Sequence, residues 1–185
     1  IVFLMDNESQ KLKSKLESMS SIVKCWNRGQ MNVSKARNEL VKICPTDWFI
    51  FLDADDYLLD NYIEVLVQEK GAISAAYMGQ EKNGELVNVV YNNQLEHRNH
   101  IRKLLNQNLT ALIHKDVFNE YPLNEEYCKG GEDLDFWIRV IQDKKWLITL
   151  TDKTKFIYRT DVDDNSLTAR QTDFVESLFN VMKYH

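Results

Sequence analysis

The chain has 185 residues, 44% hydrophobic and 11% aromatic, which is enough for one well-cored globular domain. Its formal net charge of −5 excludes broad attraction to nucleic acid or an anionic membrane, so an anionic ligand needs a local basic group or a metal. No apolar run reaches transmembrane length, no secretory signal is expected, and Cys25, Cys44 and Cys128 lack metal-ligand spacing. The cysteines read as reduced thiols of a cytoplasmic protein, with a peripheral place at a membrane as the alternative.

Residues 1–5 are wholly apolar, end in Asp6, and predict a central parallel strand. Asn7 to Gln10 fits a capping box, and Leu12, Leu16 and Met19 follow at helical spacing. Residues 21–26 predict a short strand. After the loop Asn27-Arg28-Gly29, Asn32 caps a helix carrying Val33, Ala36, Leu40 and Ile43, which Pro45 ends. Residues 48–52 are five apolar residues in a row, four of them aromatic or β-branched. That is the pattern of a strand buried on both faces. It stops in Asp53, Asp55 and Asp56. Ligands of open α/β sheets bind beyond the carboxyl ends of strands, and oxygen ligands at this density suit magnesium or manganese. The plainer reading of Asp55 and Asp56 is a turn and a helix cap.

Asp60 is expected to cap a helix through Tyr62, Ile63, Leu66 and Val67 that stops at Gly71. The β-α-β-α-β-α order to this point argues for a parallel sheet. Residues 72–77 and 86–91 predict strands joined by a turn at Asn83-Gly84. Residues 92–107 are polar and basic, either a solvated face or a binding loop. A strand over 109–113 and a short helix over 115–119 precede Gly130-Gly131-Glu132-Asp133. These open an amphipathic helix over 134–142, with Leu134, Trp137, Ile138 and Ile141 on one face. Short strands over 146–150 and 156–158, then a helix lined by Phe174, Leu178 and Met182, complete the chain.

Four pieces stand in order: Asn27-Arg28-Gly29 with Ala36-Arg37-Asn38; Asp53-Ala54-Asp55-Asp56; Gly130-Gly131-Glu132-Asp133 through Arg139; and Tyr158-Arg159. Together they resemble a glycosyltransferase of the GT-A fold, most closely the inverting enzymes of glycosyltransferase family 2, over roughly residues 20–170. The resemblance implies one three-layer α/β domain over 1–185, with a mostly parallel sheet flanked by helices. A nucleotide-binding half covers about 1–71 and an acceptor-binding half about 72–185. It implies a nucleotide-sugar donor (UDP-linked), a glycan or other hydroxyl acceptor, and Mn2+ or Mg2+. By position it implies that Asp53 and Asp55 of the Asp-x-Asp motif meet donor and metal. Arg37 lies near the nucleotide, Asp133 is the general base with Glu132 beside it, and Trp137 and Gly131 face the acceptor. The helix dipole would favour ionised Asp133.

Such enzymes usually open with a strand ending Pro-x-Tyr-Asn and a second ending Asp-Asp-Gly-Ser. Here one βα unit precedes the Cys25 strand, so Asp6 becomes the contact for the base. Asp161 stands where those enzymes often carry a metal-binding histidine, and is expected as a further ligand; a solvated acidic loop is the alternative. A retaining GT-A enzyme, a nucleotidyltransferase and a non-catalytic carbohydrate- or calcium-binding domain are the rival readings. The nucleotidyltransferase lacks its Gly-rich loop, since residues 6–10 contain no glycine.

Overall fold

The computed structural model describes residues 2–5, 10–20, 24–27, 31–87, 108–127 and 130–160. Strands β1 (Val2–Met5) and β2 (Lys24–Asn27) pair in parallel, with helix α1 (Gln10–Met19) as the crossover that a parallel pair needs. Asp6, the capping box at Asn7, residues 88–107, Asp161 and the last expected helix lie outside the described residues.

Helix α2 (Val33–Ile43) has the ends its sequence implies. Asn32 Oδ1 accepts the Lys35 N–H at 2.8 Å, and Cys44, ahead of Pro45, leaves helical backbone at φ −63°, ψ 126°. Its inward face differs from the expected one. Ser34, Arg37, Asn38 and Val41 are buried, whereas Val33 is exposed and Leu40 half-buried. These four positions also have helical spacing, and three of them are polar, so α2 turns a polar stripe inward.

The main sheet comprises β3 (Trp48–Phe49), β4 (Tyr57–Leu58), β5 (Ile73–Lys82), β6 (Glu85–Val87), β7 (Ala111–His114) and β8 (Ile148–Arg159). Its order is β3-β7-β5-β8-β4, with β6 on the far end of β5. The expected mostly parallel sheet is corrected: only β5–β8 is parallel here, and the other pairs are antiparallel. The reason is local connectivity. Asn83 and Gly84, at φ 53° and 77°, make a tight hairpin that can only reverse the chain. The β5–β8 pair instead spans a connection containing helices α4 (Lys115–Glu120) and α5 (Glu132–Asp143).

The strand ahead of the acids is also not the most buried one. Trp48 and Leu52 are exposed, and β3 ends the strand order among the described residues. The most buried strand is β5, where Ile73, Ala75 and Ala76 have no exposed surface. Alternation along β5 serves two cores. Ile73 and Ala75 face Val41, Phe118, Phe136, Trp137 and Val140 from α2, α4 and α5. Ala76 faces Tyr62 and Leu66 of helix α3 (Tyr62–Gln68). Helices therefore cover both faces of the sheet. Within α5 the buried apolar residues are Phe136, Trp137 and Val140, beside buried Glu132 and Asp135, while Leu134, Ile138 and Ile141 are half-buried.

Three further expectations are revised. The α3 cap position is Asn61, not Asp60, and the helix ends at Gln68, before Gly71. Asn61 Oδ1 instead accepts the Thr154 hydroxyl at 2.9 Å. A side chain at Gly71 would meet Ile73 O at 2.5 Å, which explains a glycine there. The two expected late strands are one, β8, whose residues 152–154 bulge between the Ala76–Thr151 and Tyr77–Lys155 pairs.

Candidate active site

The site forms where α2, the turn after β3 and the start of α5 meet. The Asp56 N–H donates to Asp53 O at 3.1 Å and closes the turn. Asp56 is buried, and its two carboxylate oxygens accept the Arg159 N–H and the Asn108 Nδ2–H, each at 3.2 Å. Burial first, with Asp53 and Asp55 adding repulsion, pushes its pKa up to about 6 against those two bonds. Asp56 thus ties the acidic turn to the end of β8. Asp55 is half-buried and makes no hydrogen bond or ion pair among the described residues. Arg159 pairs with Glu81 at 3.3 Å.

Gly130 and Gly131, at φ 96° and 92°, turn the chain into α5 through backbone that other residues rarely adopt. Gly131 is the cap residue, and Glu132, Asp133 and Asp135 fill the first turn. Asp135 is committed to structure: it pairs with Arg139 at 2.7 Å, and Arg139 Nη2 donates to Pro122 O at 2.9 Å. Glu132 and Asp133 instead reach across to α2.

Arg37 joins the pieces. Its Nη1 donates to Glu132 Oε1 at 3.0 Å and to Asp133 Oδ1 at 2.7 Å, and its Nη2 donates to Asp53 Oδ1 at 2.9 Å. The guanidinium carbon lies 5.7 Å from the centre of the Phe51 ring. Three neighbouring carboxylates outweigh burial and raise the Arg37 pKa, so the cation is permanent. Asp133 moves the other way from the dipole expectation. Burial, then Glu132 and Asp53, push its pKa up to about 7 despite Arg37. Helix-dipole stabilisation is small beside the desolvation of a carboxylate.

The structure therefore gathers Arg37, Asp53, Glu132 and Asp133, with Asp55 two residues further along the turn. It does not bring Trp137 to the cleft. That side chain has no exposed surface and packs edge-on to Phe136 at 5.4 Å, so the expectation of an acceptor wall is corrected to a core residue. Sequence reasoning missed Asn38. Its Nδ2 donates to Leu123 O at 2.9 Å and to Glu125 Oε1 at 3.0 Å, and its Oδ1 accepts the Leu123 N–H at 3.0 Å. Asn38 thus fixes α2 to the segment leading into α5. The polar spacing of Ser34, Arg37 and Asn38 was the available signal.

Among the described residues no group of three or more His, Cys, Asp or Glu side chains is arranged to hold a metal ion. The donor chemistry at the turn still fits a hard cation. Magnesium and manganese are commonly held by one or two carboxylates with substrate phosphates and water, and Asp55 is a partly exposed carboxylate beside Asp53. Cys44 is a free thiol. No helix among the described residues is long and apolar enough to cross a membrane.

A sheet covered by helices on both faces, with acids gathered beyond β3, has the general form of a GT-A fold. The family model for glycosyl transferase family 2 matches residues 1–167, and the chain belongs to that family. Among solved structures it is similar to residues 1–349 of S. aureus TarS in complex with UDP-GlcNAc. Identity there is 17%, the TM-score is 0.73, and 97% of this chain and 55% of that one are covered. It is also similar to GalNAc-T7 with UDP, GalNAc and Mn2+, at 11% identity and TM-score 0.65, over 96% of this chain and 41% of that one. At these identities the likeness is one of fold, and the chain spans about half the length of the TarS fragment. A comparison with curated protein sequences finds no match.

Proposed function

We propose that residues 1–185 form one GT-A domain of an inverting glycosyltransferase, about 1–71 holding the nucleotide and about 72–185 the acceptor. The donor is a nucleotide-diphosphate sugar, with UDP favoured by the UDP complexes of the similar structures. The acceptor is a hydroxyl of a glycan or another molecule. The observation that carries this reading is the meeting of Asp53, from the turn after β3, with Glu132 and Asp133, from the start of a distant helix.

In this reading Asp133 takes the proton of the acceptor hydroxyl as that oxygen attacks the anomeric carbon opposite the departing diphosphate. A carboxylate whose pKa lies near 7 accepts a proton in the transition state and releases it near neutral pH. Glu132 acts on Asp133 through its charge. The bare backbone of Gly130 and Gly131 lets the acceptor approach the start of α5. Asp53 serves the ribose side of the donor and Asp6 the base. Asp55, with Asp53 and Asp161, would hold Mn2+ or Mg2+, which when bound neutralises charge developing on the diphosphate.

The test is calorimetric titration with UDP and UDP-sugars, with and without Mn2+. The wild-type chain is expected to bind in Mn2+. Asp55→Ala is expected to bind at least roughly tenfold more weakly with an unchanged melting temperature, since Asp55 makes no hydrogen bond or ion pair among the described residues that could be lost. A wild-type chain that binds no UDP compound overturns the reading.

A further inference from the structure

We propose that Arg37 is a positioning residue for the transfer step, a buried strut that holds Asp133 in register with Asp53, and not a ligand of the donor. The inference rests on the glycosyltransferase reading above. The Arg37 side chain is 9% exposed, and both terminal nitrogens already donate to carboxylates of the protein. Those carboxylates come from segments 16 and 96 residues away in the chain, so the arginine spans the junction of the two halves.

The geometry of the group suits that task. A guanidinium is flat and rigid, with its donors spread over three nitrogens, whereas a lysine ammonium offers its donors from one point. The guanidinium carbon lies over the Phe51 ring, and Phe51 is itself set by Phe49 at 5.0 Å and Phe118 at 5.6 Å. The next residue, Asn38, is bonded to Leu123 and Glu125. Arg37 thus has little freedom to swing towards a diphosphate without abandoning three acids. A donor ligand and a strut differ in what their loss removes. Losing the first weakens binding; losing the second leaves the donor bound and Asp133 misplaced, and a small misplacement of a reacting group lowers the rate steeply.

The experiment compares the wild-type chain with Arg37→Lys, Arg37→Ala and the double variant Arg37→Gln/Glu132→Gln. The double variant removes one of the acids left without a cation and so guards against a simple folding defect; because Glu132 also acts on Asp133, it is read for folding and UDP affinity, and kcat is read from the single variants. UDP affinity is measured in Mn2+, and turnover as UDP release from the UDP-sugar the wild type uses fastest. The inference expects UDP affinity within about threefold of wild type in the folded variants, kcat lower by roughly 30-fold or more, and partial rescue of Arg37→Ala by added guanidinium. Parallel loss of UDP affinity and turnover, wild-type kcat in Arg37→Lys, or no rescue overturns it while leaving the glycosyltransferase reading intact. A wild-type chain that neither binds UDP nor releases it from any UDP-sugar overturns both.

Discussion

At Asp133 two electrostatic effects oppose each other, and burial exceeds the attraction of Arg37, leaving the carboxyl with a pKa of about 7. If Asp133 is the base proposed above, turnover is expected to climb about tenfold per pH unit below that value and to level above it, as the carboxyl loses its proton. A pH profile of kcat/KM flat from 5 to 8 would contradict this. Stability has the opposite dependence. Between the ordinary 3.8 and about 7 the folded chain keeps a proton on Asp133 that the unfolded chain has released, so the group costs stability as pH rises through that window. Asp56, pushed up to about 6, acts in the same direction over a narrower range. Urea unfolding of Asp133→Asn at several pH values should show a shallower decline than wild type. The acids themselves were legible in the sequence through the joint order of Asp-x-Asp after an apolar run and Gly-Gly-Glu-Asp before a helix, since either motif alone also serves as a turn or a helix cap. The shared cation was not, because nothing local in Ala36-Arg37-Asn38 records which distant carboxylates lie opposite.

Helix α2 is the element that turns a sequence motif into a site. Its inward stripe is polar because it faces carboxylates at Arg37 and loop backbone at Asn38. Asn38→Ala would leave the N–H and C=O of Leu123, a 2%-exposed residue, without these partners. A loss of about 1–3 kcal/mol is expected by chemical denaturation, with a larger fall in turnover than in UDP affinity because the loosened segment leads into α5. An unchanged unfolding midpoint would show that water replaces both bonds. Element positions were largely readable, since caps and proline act locally: Asn32 and Pro45 bound α2 as the sequence implied. The inward face of α2 does not follow its apolar residues, because apolar spacing marks the buried side only where the neighbour is apolar too. In β8 the polar residues 152–154 imitated a break between strands, whereas the ladder passes them as a bulge.

In the molecule as a whole, two cores on opposite faces of one mixed sheet hold three remote segments together at the site. The α/β class was readable from alternating elements, but the strand directions were not, because pairing between β3, β7 and β5 depends on contacts far apart in sequence. The same arrangement divides the labour proposed here: the donor side from the turn after β3, and the base from the start of α5. Replacing the base alone should therefore separate the two functions. Asp133→Asn keeps the shape of the side chain and cannot take a proton. The most direct measurement is UDP release by this variant, set beside its UDP affinity in Mn2+. The account predicts a fall in kcat of roughly 10²–10⁴ with UDP affinity within about threefold of wild type. Turnover near the wild-type rate would contradict it.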